Sequence, residues 1–126
     1  MATIALTQDN FEATVTGNDI VVIDFWADWC GPCKAFAPIF ERVSEKFADV
    51  VFAKVDTDRE QELAGAFQIR SIPTLMIFRE STILFVQPGM VPEAALTDLV
   101  ERVKQVDMEE VRKQRVPADQ ARLDPA

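Results

Sequence analysis

The chain has 126 residues, of which 48% are hydrophobic and 27% charged, and its net charge is −8. This is the size and composition of a single globular domain, so neither a disordered chain nor a membrane protein is indicated. The 13 basic residues are scattered among 21 acidic ones, which argues against a surface for nucleic acid or anionic lipid. The first nine residues contain neither a basic stretch nor a long apolar run, so we expect no signal peptide and a cytoplasmic protein.

Five predicted strands and four predicted helices follow one another along the chain. Apolar and β-branched runs predict strands at residues 4–6, 20–26, 50–55, 74–78 and 83–86. Helices are expected from Thr7, placed as an N-cap, to about Val15, over residues 33–48 with Pro38 inside, over residues 59–67, and from Pro92 onward. The order predicts an α/β sandwich over residues 1–106. Residues 107–126 are expected to form a partly helical C-terminal extension.

Two cysteines and no histidine narrow the possible chemistry. Without histidine, the chain cannot contain a Cys–His pair, a Ser–His–Asp triad or a zinc site with imidazole ligands. Two thiols supply half of a four-cysteine metal site, so a metal would have to be shared between two chains. We therefore expect no bound metal.

Cys30 and Cys33 form a Cys-x-x-Cys motif between the strand at 20–26 and the helix that follows. At a helix start, free N–H groups and the helix dipole lower the pKa of a cysteine, so Cys30 is predicted to be the nucleophile. Cys33, one turn further in, is expected to lie deeper and to attack the mixed disulfide that Cys30 forms with a substrate. Half a zinc ribbon or a packing pair has the same spacing, but the strand–helix junction favours a redox-active disulfide.

Several separated segments resemble the thioredoxin family in order and spacing. They are residues 24–34 with the sequence DFWADWCGPCK, Pro38, residues 53–56, residues 69–74 and Gly89. The resemblance covers about residues 3–105 and implies the thioredoxin fold, a central mixed five-stranded sheet flanked by four helices. It also implies reduction of protein disulfides through Cys30 and Cys33, with no bound cofactor. Electrons would return from NADPH through a separate thioredoxin reductase.

Asp24 and Lys54 interrupt strands that are otherwise apolar. Burial should raise the pKa of Asp24, and in thioredoxins the matching Asp lies behind the second cysteine, so the resemblance implies that Asp24 is a general base for Cys33. The alternative is a polar core residue whose hydrogen bonds are satisfied. Lys54 is the expected charge partner of Asp24 in the catalytic group, or else a lysine that extends to solvent.

The resemblance also implies a substrate-binding surface around the cysteines. In thioredoxins the bond corresponding to Ile72–Pro73 is cis, which would expose the backbone of Ile72 for strand-like pairing with an extended substrate. Trp29 is expected beside the disulfide with its ring partly exposed, whereas Trp26 could equally be a core aromatic. The predicted surface consists of Trp29, Gly31, Pro32, Ile72, Pro73 and Gly89.

The sequence departs from the family pattern at two places. Residues 79–82 lack the glycine usual in this hairpin of thioredoxins, and the extension lengthens the chain beyond the last family helix.

We expect a monomer whose partners are thioredoxin reductase and disulfide-containing proteins. One alternative is a disulfide oxidase or isomerase, which the Gly31-Pro32 dipeptide disfavours. The other is a binding module or chaperone in which the thiols are incidental.

Overall fold

The computed structural model describes residues 2–114. A five-stranded sheet lies at its centre, with the strand order β1-β3-β2-β4-β5. Its strands are β1 (Thr3–Ala5), β2 (Ile20–Trp26), β3 (Val51–Asp56), β4 (Thr74–Arg79) and β5 (Thr82–Pro88). Strand β3 pairs in parallel with β1 and β2, whereas β4 pairs antiparallel with β2 and β5. The predicted mixed five-stranded sheet is therefore confirmed.

Five helices flank the sheet in the described part of the chain. They are α1 (Phe11–Thr16), α2 (Gly31–Ser44), α3 (Gln61–Ala66), α4 (Glu93–Gln105) and α5 (Met108–Gln114). Alternate residues of β2 point into two separate apolar layers. Ile20 and Val22 pack with residues of α2 and α4 on one face, and Val21 and Ile23 pack with residues of α1 and α3 on the other. Burial on both faces explains why β2 has no polar residue except Asp24.

Three helix boundaries differ from the predicted ones, two of them because side chains form turns at those points. Helix α1 begins at Phe11, since Thr7 and Asn10 exchange hydrogen bonds between side chain and main-chain N–H and close a turn before the helix. Asp56 accepts the N–H groups of Asp58 and Arg59, which delays the start of α3. Helix α2 ends at Ser44, before the apolar pattern that predicted it ends.

The fifth helix lies in the predicted extension and contacts the rest of the domain. The Arg79 guanidinium donates from Nη1 to the carbonyl oxygens of Val103, Lys104 and Val106 and so caps the end of α4. Met108, at the start of α5, is buried. Residues 107–114 thus include a helix packed on the domain, and the rest of the predicted extension, 115–126, lies outside the described residues.

The β4–β5 hairpin turns without glycine. Glu80 and Ser81 occupy its two central positions with φ of 50° and 63°, the left-handed region that a type I′ turn requires. The Arg112 guanidinium forms an ion pair with the Glu80 carboxylate, and the Glu80 N–H donates to the Asp19 carbonyl at 2.8 Å. The departure noted in the sequence therefore leaves the hairpin intact.

Candidate active site

The two cysteines lie where β2 gives way to α2. Cys30 is the N-cap of α2 and is disulfide-bonded to Cys33, with the two Cα atoms 5.2 Å apart. The main-chain N–H of Cys33 donates to the Cys30 sulfur at 3.2 Å. Gly31 and Pro32 between them are exposed in the first helical turn. The buried strand and the helix start thus hold both sulfurs in position for reversible disulfide chemistry.

Burial does not separate the two cysteines in the way that the sequence suggested. Cys33 is 3% exposed and Cys30 is 4% exposed, so Cys33 lies hardly deeper than Cys30. What separates them is the donor at the helix start, which points to the sulfur of Cys30.

A loop with a cis peptide bond borders the disulfide on one side. The Ile72–Pro73 bond is cis, and the Ile72 carbonyl oxygen lies 3.7 Å from the Cys30 sulfur. Pro73 is itself buried, and its carbonyl accepts the N–H of Gly89 at 2.8 Å. Gly89 has a φ of +92°, a conformation that favours glycine. The structure therefore brings Ile72, Pro73 and Gly89 together, with Ile72 next to Cys30.

Trp29 lies at the surface immediately before Cys30. The residue is 71% exposed, and its indole N–H donates to the Asp58 carboxylate at 3.1 Å. This bond fixes one edge of the ring and leaves most of the residue accessible. Sequence reasoning did not single out Asp58, because nothing in its local pattern distinguishes it from the neighbouring solvated carboxylates.

Asp24 is fully buried on the face of the sheet that α2 covers. It follows Ile20 and Val22 on that face, and Cys33 lies on the buried side of α2. Burial raises the pKa of Asp24 to about 7, although the positive charge of Lys54 opposes the shift. Neither carboxylate oxygen has a hydrogen-bond partner among residues 2–114.

Lys54 is the cross-strand neighbour of Asp24 but is not hydrogen-bonded to it. The two Cα atoms are partners in the β2–β3 register. The Lys54 ammonium instead lies 5.1 Å from the centroid of the half-buried Trp26 ring. Trp26 is therefore a half-buried aromatic in contact with Lys54 and not a fully buried core residue.

Comparison with known proteins agrees with this arrangement. The Thioredoxin family model matches residues 2–102. The chain belongs to the thioredoxin family. It is 57% identical to the putative thioredoxin 2 of Streptomyces coelicolor over 112 residues, which is 89% of this chain and 84% of the relative. It is 38% identical to the thioredoxin of Bacillus subtilis over 103 residues, 81% of this chain and 98% of the relative.

Solved thioredoxin structures have the same fold. A mutant thioredoxin from Halobacterium salinarum superposes with a TM-score of 0.73 at 37% identity, covering 79% of this chain and 88% of that one. Membership of the thioredoxin family and the Cys30–Cys33 disulfide identify a thiol–disulfide oxidoreductase of the protein-disulfide reductase type. The predicted fold and reaction type are therefore confirmed.

Residues 2–114 were also searched for metal-binding clusters and membrane-spanning helices. No group of three or more acidic or cysteine side chains there is arranged to hold a metal ion. No helix in this part of the chain is both long and apolar enough to cross a bilayer.

Proposed function

We propose that this thioredoxin reduces cytoplasmic protein disulfides with Cys30 as the attacking thiol and Cys33 as the resolving thiol. The observation that carries the assignment is the Cys33 N–H aimed at the Cys30 sulfur from the first turn of α2. A hydrogen bond from a helix N-terminus stabilises a thiolate, which is the reactive form of a cysteine. Cys33 receives no such donor in the described structure and is the better candidate for the second step.

The reaction moves two electrons from the dithiol to the substrate. The Cys30 thiolate attacks one sulfur of the substrate disulfide, a mixed disulfide forms, and the other substrate sulfur leaves as a thiolate. The Cys33 thiolate then attacks the Cys30 sulfur, which closes the Cys30–Cys33 disulfide and releases the second substrate thiolate. Both substrate sulfurs end as thiols after taking up protons.

Asp24 acts as the proton acceptor for Cys33 in the second step. A carboxyl with a pKa of about 7 exchanges a proton readily near neutral pH. Its position on the α2 side of the sheet, where Cys33 also points, supports this role. The nearby ammonium of Lys54 keeps the carboxylate form accessible, because it lowers the pKa that burial alone would produce.

The substrate lies as an extended segment along Ile72. The Ile72 carbonyl next to the Cys30 sulfur is available for main-chain pairing, which binds a substrate without regard to its side chains. Trp29, Gly31 and Pro32 are exposed next to the cysteines in the chain, and Gly89 adjoins the Ile72–Pro73 loop through its hydrogen bond to the Pro73 carbonyl. Pro73 is buried, so it contributes to substrate binding by shaping the loop that carries Ile72 and not by direct contact with the substrate.

The oxidised protein is returned to the dithiol by a separate enzyme. Thioredoxins bind no cofactor of their own, and NADPH reaches their disulfide through thioredoxin reductase. We propose the same recycling for this chain, as a monomer in a compartment where thiols are kept reduced. Which proteins this chain reduces depends on the contacts that its surface makes with them, because the dithiol–disulfide exchange itself is the same for every substrate.

Reduction of insulin tests this function. The wild-type protein with NADPH and a bacterial thioredoxin reductase should oxidise NADPH as insulin is reduced, and dithiothreitol should replace the reductase. The Cys30→Ser/Cys33→Ser double variant is the matched control and should show only the background rate. Failure of the wild type with both electron sources would reject the reductase and support a binding module.

A further inference from the structure

A buried hydroxyl group lies next to the loop that borders the Cys30 sulfur. It belongs to Thr74, the first residue of β4, which is 3% exposed and is one of three buried polar or charged residues in the described chain. Its Oγ1 donates a hydrogen bond to the Ser71 carbonyl oxygen at 2.6 Å. No step of the proposed reaction uses this hydroxyl.

The hydrogen bond closes the four-residue segment from Ser71 to Thr74. In many turns of this length, the main-chain N–H of the fourth residue donates to the carbonyl of the first. Among residues 2–114 the Ser71 carbonyl accepts no main-chain N–H, and the Thr74 hydroxyl is its donor instead. Thr74 is paired with Phe25 of β2 on one side and with Pro88 of β5 on the other. The sheet therefore holds the donor in place.

Ile72 lies between two carbonyl groups that are fixed by hydrogen bonds. The Ser71 carbonyl before it accepts the Thr74 hydroxyl, and the Pro73 carbonyl after it accepts the Gly89 N–H at 2.8 Å. Peptide groups are planar, so each residue has only two freely rotating main-chain bonds. Fixing the carbonyl groups on both sides therefore leaves few orientations open to the Ile72 carbonyl.

The orientation of the Ile72 carbonyl decides how an extended substrate meets the attacking sulfur. Its oxygen lies 3.7 Å from the Cys30 sulfur, and the Ile72 side chain packs against the apolar layer on the α1 and α3 side of the sheet. A substrate strand that pairs with this carbonyl is thereby placed within reach of Cys30. A displacement of about 1 Å can slow a reaction by about a hundredfold, so a misplaced carbonyl would be costly.

A purely local role for the Thr74 hydroxyl would be to satisfy its own hydrogen-bonding capacity. A buried hydroxyl without a partner is unfavourable, and threonine often bonds to a nearby carbonyl. Thr16 does so in α1, where its hydroxyl donates to the Glu12 carbonyl at 2.8 Å. Thr74 differs from Thr16 because the carbonyl that it holds belongs to the residue before Ile72.

We infer that Thr74 is a positioning residue for the reduction of extended substrates. Its hydroxyl holds the Ser71 carbonyl and thereby orients the Ile72 carbonyl toward a substrate strand. The inference rests on the proposed reductase function and adds a residue to it. A small disulfide without a main chain has no strand to pair with Ile72. Loss of the hydroxyl should therefore slow the reduction of a peptide disulfide more than that of a small disulfide.

Single-turnover reduction of two substrates tests the inference. The reduced protein is mixed with a peptide that carries one disulfide, or with bis(2-hydroxyethyl) disulfide, and the products are measured by chromatography after an acid quench. The ratio of the second-order rate constants, peptide over small disulfide, should fall about fivefold in Thr74→Val, as expected for the loss of one hydrogen bond. Thr74→Ser keeps the hydroxyl and should restore most of this ratio.

Two controls separate positioning from a general loss of structure. Thr16→Val removes the same kind of hydroxyl–carbonyl bond in α1 and should keep the wild-type ratio. Urea unfolding shows whether each variant is folded, and Thr74→Ala replaces Thr74→Val if the valine variant is unfolded. A wild-type ratio without the hydroxyl, or failure of Thr74→Ser to restore it, would overturn the role of Thr74 alone. No reduction of the peptide by the wild type would instead reject the reductase function.

Discussion

The main-chain N–H of Cys33 lies 3.2 Å from the sulfur of Cys30 and makes two similarly buried cysteines chemically different. The asymmetry arises from the start of α2, where Cys30 is the N-cap and Cys33 is in the first turn. An N-cap side chain normally accepts such an N–H, and here the acceptor is a sulfur. A helix start therefore provides the donor that an attacking thiolate needs.

In the reduced protein, Cys30 should react with iodoacetamide at least about tenfold faster than Cys33, because its thiolate is stabilised by the helix start. Mass spectrometry of peptides from a timed alkylation separates the two sites. Wild-type protein unfolded in denaturant is the control and should lose the difference. Faster alkylation of Cys33 would reverse the assigned roles.

Replacement of Asp24 by Asn should stabilise the protein at neutral and alkaline pH. The pKa of Asp24 is raised to about 7 in the folded state, above the ordinary value of 3.8, so the folded protein holds this proton more tightly than the unfolded chain. Stability from this group is complete below pH 3.8 and is lost as the pH rises toward 7. The variant should therefore gain up to about 4 kcal/mol of unfolding free energy above pH 7 and little at pH 3.

The same Asp24→Asn variant should resolve mixed disulfides more slowly, because Asn cannot accept the Cys33 proton. Urea unfolding at several pH values measures the stability, and stopped-flow reduction of a mixed disulfide measures the second step. Lower stability combined with full activity would show that Asp24 is a structural residue and would reject its role as proton acceptor.

Periodicity predicted the five strands and the first four helices, because their apolar residues recur at the spacing of buried strands and helix faces. It could not locate features that depend on contacts across the chain. The hydrogen bond from Trp29 to Asp58 joins residues far apart in sequence, and the interaction of Lys54 with Trp26 depends on strand register. The positions of Cys30 and Cys33 in the helix likewise did not indicate that the two residues are similarly buried.

Arg79→Met should lower the free energy of unfolding by about 2 to 3 kcal/mol, because it removes a charged donor from three carbonyl oxygens at the end of α4. Arg112→Gln is the control and should cost less than about 1 kcal/mol, since its ion pair with Glu80 is exposed. Chemical unfolding measures both. Equal losses in the two variants would mean that Arg79 does not act through the helix end.

Ser81→Gly should raise the free energy of unfolding by about 1 kcal/mol. Ser81 has a φ of 63°, a conformation that is unfavourable for a residue with a side chain and free of strain for glycine. Ser81→Ala keeps the unfavourable conformation and should give no gain. Thermal unfolding of the two variants compares them directly, and an equal effect of both would mean that the turn conformation is not the cause.

Trapping of substrates on single-cysteine variants tests the division of labour between Cys30 and Cys33 most directly. Cys33→Ser retains the attacking thiol and lacks the resolving one, so it should accumulate stable mixed disulfides with insulin, or with lysate proteins after mild oxidation, attached at Cys30. Cys30→Ser should accumulate few. Mass spectrometry under non-reducing conditions identifies the attachment site, and equal trapping by both variants, or trapping mainly at Cys33, would contradict the proposed mechanism.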